Sequence, residues 1–187
     1  MKLIYGFCGS FCTHKNSLEE LRRLSVNHVI VPAFSEAARD TDTRFGRADV
    51  FQKTVSGICG REPILSIKEA EDVVTHGGFD ALIVAPCTGN TLAKIANGIT
   101  DSTITMCVKA QLRNRKPVII ALATNDGLSA NLFNIALTLE KKNIYFVPFG
   151  QDAPKDKPSS LICDFTLIEP ALENALKGVQ MQPILLK

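Results

Sequence analysis

Short apolar runs alternate along the chain with segments whose apolar residues recur at helical spacing. The runs are continuously apolar, which is typical of parallel strands that are buried on both faces. Parallel strands need long crossover connections, and helices usually supply them. This order therefore predicts an α/β fold, a doubly wound parallel sheet with helices on both faces. The predicted strands cover residues 2–8, 28–34, 80–86, 117–124 and 143–149.

Apolar stripes of helical period lie between and after these strands. The helices that they predict cover residues 18–24, 92–99, 104–112, 128–139 and 172–179, with another around 48–56. Residues 150–160 hold two prolines and two lysines, and we expect a structureless loop that covers a site or contacts a partner. With 187 residues and no internal repeat, the chain fits one Rossmann-like or flavodoxin-like domain over 1–187.

The composition argues against several classes of protein. Hydrophobic residues make up 45% and charged residues 21%, as in ordinary globular chains. A formal net charge of +2, without a long basic run, disfavours nucleic acid as a partner. No apolar run resembles a membrane span or a signal peptide, and the 6 cysteines have neither disulfide-scaffold nor zinc spacing. We therefore expect a cytoplasmic protein with free thiols and without a metal or a membrane anchor.

The candidate binding residues lie at the junctions where a predicted strand is followed by a helix. Ligands of open parallel sheets bind outside the carboxyl ends of the strands, where helix N-termini attract anions. The first junction contains Gly9 and Ser10, the second offers Ser35, and the third runs from Cys87 to Thr91. Tight turns and helix caps explain the first two equally well. At the third junction, four small or hydrogen-bonding residues exceed what a cap needs, which favours a binding site.

The third junction carries a family resemblance. The segment PCTGNTLAKIANGITD resembles the signature of the FMN-binding flavoproteins, which include cysteine decarboxylases, phosphopantothenoylcysteine decarboxylase and prenylating flavin synthases. The blocks DTDTRFG, QLRNRKPVIIALATND, KNIYFVPFGQD and QPILLK resemble one branch of that family. That branch implies one component of a two-component oxidoreductase that forms pyridine-2,6-dicarboxylate in the mother cell during sporulation. NADP would bind only to a separate partner chain, since this chain lacks a dinucleotide fingerprint.

The resemblance also implies which residues meet the cofactor. The residues matching the family's phosphate contacts are Gly9, Ser10, Phe11 and Ser35, and those matching its flavin-ring contacts are Cys87, Thr88, Gly89, Asn90 and Thr91. It further implies a homo-oligomer, a trimer or a multiple of one, with flavin sites shared between copies. The decarboxylase and prenylation residues of the family are absent around Ala123 and Asn125. A non-catalytic scaffold for the partner chain, or a decarboxylase of another acid, therefore remain alternatives.

A dicarboxylate substrate requires cationic contacts. Arg39, Arg44 and Arg47 flank or lie in a polar stretch beside Ser35, and together with Asn125 they are the candidate substrate residues. A solvated loop explains the arginines equally well. His14 follows the first junction and is the histidine placed nearest a ligand, although a structural role is the commoner outcome. No catalytic acid or base is assigned.

Overall fold

A computed structural model describes residues 1–186. Its strands form one sheet of 7 strands in the order β2-β1-β3-β4-β7-β6, with β5 paired to the first half of β4. Strands β1 to β5 are parallel, whereas β7 is antiparallel to both β4 and β6. The strands are β1 Lys2–Phe7, β2 Val29–Phe34, β3 Ala81–Cys87, β4 Val118–Thr124, β5 Ile144–Phe146, β6 Phe149–Gln151 and β7 Leu161–Cys163.

Helices flank the sheet in two groups. In one group α4 packs on α6 and α5 packs on α6 and α7, and in the other α1 contacts α3. The helix α8 lies against β3, β4 and β5. The helices are α1 His14–Ser25, α2 Glu36–Asp40, α3 Ala48–Cys59, α4 Ile67–His76, α5 Gly89–Asn97, α6 Thr103–Arg113, α7 Leu132–Leu139 and α8 Ile168–Leu176. Within residues 1–186, no helix is both long and apolar enough to cross a membrane.

The predicted doubly wound sheet is confirmed, and the central strands β3 and β4 are buried almost throughout. The helix expected around 48–56 is confirmed as α3. Two helices were not predicted, α2 and α4. The start of α4 had a readable signal, since Ser66 and Glu69 form a reciprocal capping box. The helix predicted over 128–139 was too long, because α7 begins only at Leu132, and the helix predicted over 172–179 lay too far along the chain, because α8 covers Ile168–Leu176.

The predicted fifth strand and the loop after it were wrong in part. The fifth run breaks after β5 at residues 147–148, and Phe149–Gln151 forms β6, which pairs with β7 in an antiparallel hairpin. Only residues 152–160 connect the two strands. The hairpin covers the carboxyl half of β4, where Ala123 and Thr124 pair with Ile162 and Leu161 beyond the reach of β5. Strands of three residues are too short to show a hydrophobic period.

A buried polar contact ties β1 and β3 to α1. The Tyr5 hydroxyl lies 3.0 Å from both the carbonyl oxygen and the hydroxyl of Ser17. The Ser17 hydroxyl in turn donates to the carbonyl oxygen of Ala85 at 2.6 Å. Both Tyr5 and Ser17 are fully buried. The contact thus fixes α1 over the two strands that precede the first and third junctions.

We expect Ser17→Ala to lower the free energy of unfolding by about 1–3 kcal/mol, because it removes buried hydrogen bonds. Ser25→Ala is the matched control, since the Ser25 hydroxyl bonds to Arg22 at the exposed end of the same helix. It should change the stability by less than about 0.5 kcal/mol. Urea unfolding followed by circular dichroism measures both. Equal stability of the two variants would contradict the importance of the buried contact.

Candidate functional site

Three junctions meet at the carboxyl edge of the sheet, after β1, β2 and β3. Between them lies a cavity of ≈ 350 Å³, which we call the cap cavity. Its lining residues are Gly9, Ser35, Glu36, Ala37, Thr88, Asn90, Thr91, Lys94 and Ser102. A second opening of ≈ 430 Å³, the hairpin cavity, shares Gly9 and Thr88 with it and extends toward the β6–β7 hairpin. The two cavities form one continuous candidate site around Gly9 and Thr88.

Helix caps define the polar surface of the cap cavity. The Ser35 hydroxyl accepts a hydrogen bond from the backbone N–H of Ala38 at 3.3 Å, and the Thr88 hydroxyl accepts one from Thr91 at 3.2 Å. The cap interpretation of both residues is therefore confirmed. The first turns of α2 and α5 both open onto this cavity, and Lys94 lines it with its ammonium group paired to the Asp101 carboxylate at 2.8 Å. Helix N-termini carry partial positive charge, so the arrangement suits an anion.

Unpaired backbone donors strengthen this interpretation. Four residues that line the cap cavity have backbone N–H groups that make no hydrogen bond to another residue among residues 1–186. They are Gly9, Glu36, Ala37 and Asn90. Backbone donors require a partner when they are removed from water. The one carboxylate present, Glu36, is held by the backbone N–H and hydroxyl of Thr103, both at 2.9 Å. The cavity thus offers several free donors to a phosphate-like group.

Gly89 allows the start of α5 to approach the loop after β4. A Cβ atom at this position would contact the Asn131 side-chain amide and lie 2.6 Å from the Thr124 hydroxyl and 2.8 Å from the Asp126 carboxylate. The Thr124 hydroxyl donates to that carboxylate in a very short bond, and the Asn131 amide donates to the same oxygen at 2.9 Å. The glycine is therefore required by packing, beyond any role in capping.

The hairpin cavity is lined by both hydrogen-bond donors and hydrogen-bond acceptors. Lys157 lies 3.5 Å from one carboxylate oxygen of Asp152, whose other oxygen is buried and has no hydrogen-bond partner among residues 1–186. The Ser160 hydroxyl donates to the backbone carbonyl of Thr124 at 3.2 Å and lies 3.4 Å from the Asn125 amide oxygen. The side chains around this opening can therefore bind a group that carries both donors and acceptors.

Most of the residues proposed from the sequence meet at these two cavities. The residues that line one or both of them are Gly9, Ser10, Ser35, Thr88, Gly89, Asn90, Thr91 and Asn125. Cys87 is fully buried at the end of β3, and Phe11 lines a different cavity. The sequence analysis did not single out Asn16, Ser102, Asp152 or Ser160, although Asp152 and Ser160 lie in the stretch 150–160 that it expected to cover a site or contact a partner.

None of the three candidate arginines lines the cap cavity or the hairpin cavity. Arg39 donates twice to the Asp40 carboxylate and once to the backbone carbonyl of Leu65 at 2.6 Å. Arg44 stacks over the Phe45 ring at 4.9 Å. Arg47 bonds to Asp49 through Nε at 3.0 Å and lines the same separate cavity as Phe11. Of the three, Arg47 alone lines a described cavity.

The two buried thiols beside the site, Cys8 and Cys87, are protonated. Burial raises the pKa of Cys8 to about 11 and holds the pKa of Cys87 well above its ordinary value. Because the thiolate is the nucleophilic form, neither cysteine is an activated nucleophile at neutral pH. All 6 cysteines are free, as expected. Among residues 1–186, no group of 3 or more His, Cys, Asp or Glu side chains could hold a metal ion.

The chain belongs to the Flavoprotein family, whose family model matches residues 17–167. Within that class it is 37% identical to the B subunit of dipicolinate synthase from Bacillus subtilis (strain 168), over 98% of this chain and 92% of that protein. The crystal structure of the B subunit of dipicolinate synthase from Bacillus halodurans C matches with a TM-score of 0.89 and 38% identity, covering 100% of this chain and 96% of the other.

A more distant solved structure shares the fold. The DmrB protein of Burkholderia xenovorans, crystallised in complex with FMN and described as a cubic protein cage for redox transfer, matches with a TM-score of 0.70. Its identity to this chain is 17%, over 94% of this chain and 95% of that one. The family model and the 37% identical relative confirm the resemblance to the flavoproteins seen in PCTGNTLAKIANGITD.

We expect Gly89→Ala to lower the free energy of unfolding by about 1–3 kcal/mol, because its Cβ overlaps the Thr124, Asp126 and Asn131 side chains. Gly57→Ala is the matched control. Gly57 lies within α3 and an added Cβ meets nothing within 4 Å, so the change should stabilise the protein by up to about 1 kcal/mol. Chemical denaturation of both variants is the measurement. Opposite signs are expected, and a neutral Gly89→Ala would contradict the packing argument.

Proposed function

We propose that this chain is the FMN-binding B subunit of a dipicolinate synthase. It would act with a separate, nicotinamide-dependent A subunit, called the dehydrogenase partner below, to form pyridine-2,6-dicarboxylate from dihydrodipicolinate or its hydroxylated precursor. The setting would be the mother-cell cytoplasm during sporulation. The observation that carries the proposal is the group of free backbone N–H donors around Gly9 and Asn90, in a chain similar to this synthase component over nearly its whole length.

The residues around the two cavities fit FMN. Gly9, Ser10 and Ser35 would hold the phosphate, because free backbone donors, hydroxyls and two helix N-termini meet there. Thr88 to Thr91 would contact the ring system from the start of α5, with the space beside Gly89 itself filled by the Thr124, Asp126 and Asn131 side chains. The unpartnered Asp152 oxygen offers an acceptor to a ligand N–H or O–H. When bound, FMN supplies a carrier of two electrons.

The chain's own residues suit cofactor binding. The buried thiols of Cys8 and Cys87 are protonated, and none of the three histidines lines the cap cavity or the hairpin cavity. The carboxylates that line the two cavities are Glu36, which is held by Thr103, and Asp152, which faces Lys157. The dehydrogenase partner would contribute NADP, whereas this chain would hold its cofactor and shape one side of a joint site.

A second candidate function is a scaffold that stabilises the dehydrogenase partner without turning over a flavin. The lack of a histidine at the two cavities favours it. A flavin-dependent decarboxylase of another acid is less well supported. The end of β4 and the loop after it read Ala123-Thr124-Asn125-Asp126, without the decarboxylase residues. The two hypotheses, a scaffold and a cofactor-binding component, predict different product formation when the cap cavity alone is blocked.

Asn90→Trp provides that block, because Asn90 is an exposed residue in the first turn of α5 at the cap cavity. If the chain is a working cofactor-binding component, complexes of the dehydrogenase partner with this variant should form pyridine-2,6-dicarboxylate roughly tenfold more slowly or worse. FMN binding, measured by calorimetry, should be lost in parallel. Product is followed by its ultraviolet absorbance.

Asn27→Trp is the matched control, since Asn27 is an exposed asparagine in the turn after α1. It should leave FMN binding and product formation unchanged. Full activity of the Asn90→Trp complex would support the scaffold. Activity of this chain alone on another acid would support the decarboxylase.

Helix α7 carries the apolar surface that suits a homo-oligomer. No charged residue lies between Asp126 and Glu140, yet Leu132 is 51% and Phe133 is 70% exposed. Soluble proteins rarely leave such a contiguous apolar face in water. The face adjoins the site, because Asn131 at the start of α7 is part of the contact network behind Gly89. We therefore assign it to contact between copies of this chain, in a trimer or a multiple of one.

Phe133→Glu should dissociate the oligomer, because it places a charge in an apolar contact. Val26→Glu is the matched control, since Val26 is 80% exposed in the turn after α1 and lies outside α7. Light scattering coupled to size-exclusion chromatography measures the mass of each variant without the dehydrogenase partner. A wild-type monomer, or an unchanged mass for Phe133→Glu, would contradict the assignment.

A further inference from the structure

A third cavity lies between the start of α1, α2, the loop 41–47 and the start of α3. Its volume is ≈ 340 Å³, and we call it the aromatic cavity. Cys12, in the short turn Phe11–Thr13, lines both this cavity and the hairpin cavity. The aromatic cavity therefore lies beside the proposed cofactor site, separated from it by one turn of chain. The function proposed above does not use it.

One wall of the cavity is a fixed stack of aromatic rings. The His14 imidazole stacks on the Phe51 ring with centroids 4.5 Å apart and an angle of 14° between the planes. Phe7, which is fully buried, contacts both of these rings edge-on. Phe11 packs against His14 at 5.3 Å. The stack presents a rigid, flat surface, which suits the face of a planar ring.

The charges that line the cavity are all positive. Lys15 and Arg47 are the charged lining residues other than His14, and no carboxylate is among them. Lys15 makes no ion pair within residues 1–186, and Arg47 uses only Nε to bond Asp49. The terminal guanidinium nitrogens of Arg47 thus remain available, in the fork geometry that binds a carboxylate. A mainly apolar cavity with the Lys15 ammonium, unpaired among residues 1–186, and the terminal nitrogens of Arg47 favours an acid that also carries a ring.

His14 adds an uncharged acceptor. Its Nε2 lies 2.7 Å from the backbone carbonyl of Cys8, so Nε2 carries the proton and donates. This leaves Nδ1 as an acceptor, and no residue within 1–186 donates to it. Burial lowers the pKa of His14, and this effect outweighs the hydrogen bond to the Cys8 carbonyl, which acts in the opposite direction. Neutral His14 can therefore accept a hydrogen bond from a ligand N–H or O–H.

We infer that the aromatic cavity binds a flat cyclic carboxylate, with its ring on the Phe51–His14 stack and its carboxylate toward Arg47 and Lys15. The site lies apart from the cofactor cavities, and its chemistry matches the acid that the proposed function requires. The inference rests on the proposed function only for the identity of the natural ligand, that is, for which cyclic acid binds. Of the three arginines that the sequence analysis proposed as substrate residues, it retains Arg47 alone.

The test is a calorimetric titration of the full chain, without FMN and without the dehydrogenase partner. Pyridine-2,6-dicarboxylate should bind saturably, whereas pyridine, which lacks carboxylates, and glutarate, which lacks a ring, should bind at least roughly tenfold more weakly. Lys15→Gln combined with Arg47→Gln should raise the dissociation constant for pyridine-2,6-dicarboxylate by roughly tenfold or more. Both residues are exposed, so the double variant is expected to fold.

Arg44→Gln is the matched control for charge. Arg44 belongs to the same loop and has the same charge, but it does not line the cavity. Its loss should change the dissociation constant by less than about twofold. Equal weakening by Arg44→Gln would show a general electrostatic attraction and overturn the inference, as would the absence of saturable binding or equal affinity for glutarate.

The outcome is independent of the cofactor proposal. Lys15 and Arg47 line neither the cap cavity nor the hairpin cavity, so the double variant should bind FMN as the wild type does. Dicarboxylate binding without FMN binding would leave the aromatic site standing and refute the cofactor. FMN binding without dicarboxylate binding would support the cofactor proposal and refute the aromatic site.

Discussion

Backbone N–H groups left without partners at one edge of the sheet are the constraint on which the candidate site depends. Strands β1, β2 and β3 run in parallel side by side, so each must turn into its next segment at the same edge. The donors of Gly9, Glu36 and Asn90 are therefore brought together, and no local turn satisfies them all. Ser35 and Thr88 satisfy one donor each through their caps. The remaining donors form a binding surface because the fold cannot bond them internally.

The packing behind Gly89 connects this surface to the rest of the molecule. The Asp126 carboxylate accepts hydrogen bonds from Thr124 and Asn131, and the Asn131 amide oxygen accepts one from Asn134 at 2.9 Å. Thr124 ends β4, and Asn131 and Asn134 belong to the start of α7. A polar network thus runs from the first turn of α5 to the helix whose apolar face is exposed. The proposed contact at that face and the proposed ligand binding at the cap cavity would therefore depend on the same few side chains.

Local patterns in the sequence were sufficient for the sheet and for much of the candidate site. Continuous apolar runs predicted β1 to β4 closely, and small hydroxyl residues after the strands predicted the caps at Ser35 and Thr88. The β6–β7 hairpin was missed because its strands have three residues each and gain their stability from the uncovered half of β4. The aromatic cavity was missed for a different reason. His14 and Phe51 are distant in sequence, and only the packing of α1 on α3 stacks their rings.

The position of the aromatic cavity beside the hairpin cavity bears on which groups this chain would contribute to a complex with a partner. The turn Phe11–Thr13 separates them, and its residues face both sides: Phe11 and Cys12 line the aromatic cavity, whereas Cys12 and Thr13 line the hairpin cavity. The Thr13 hydroxyl donates to the Ser10 carbonyl at 2.8 Å, which fixes this wall against the first junction. A ring held on Phe51 would thus lie one turn away from the hairpin cavity. In the proposed complex, this chain would contribute position and charge on both sides of that wall, through Lys15 and Arg47 on one side and Asp152 and Lys157 on the other.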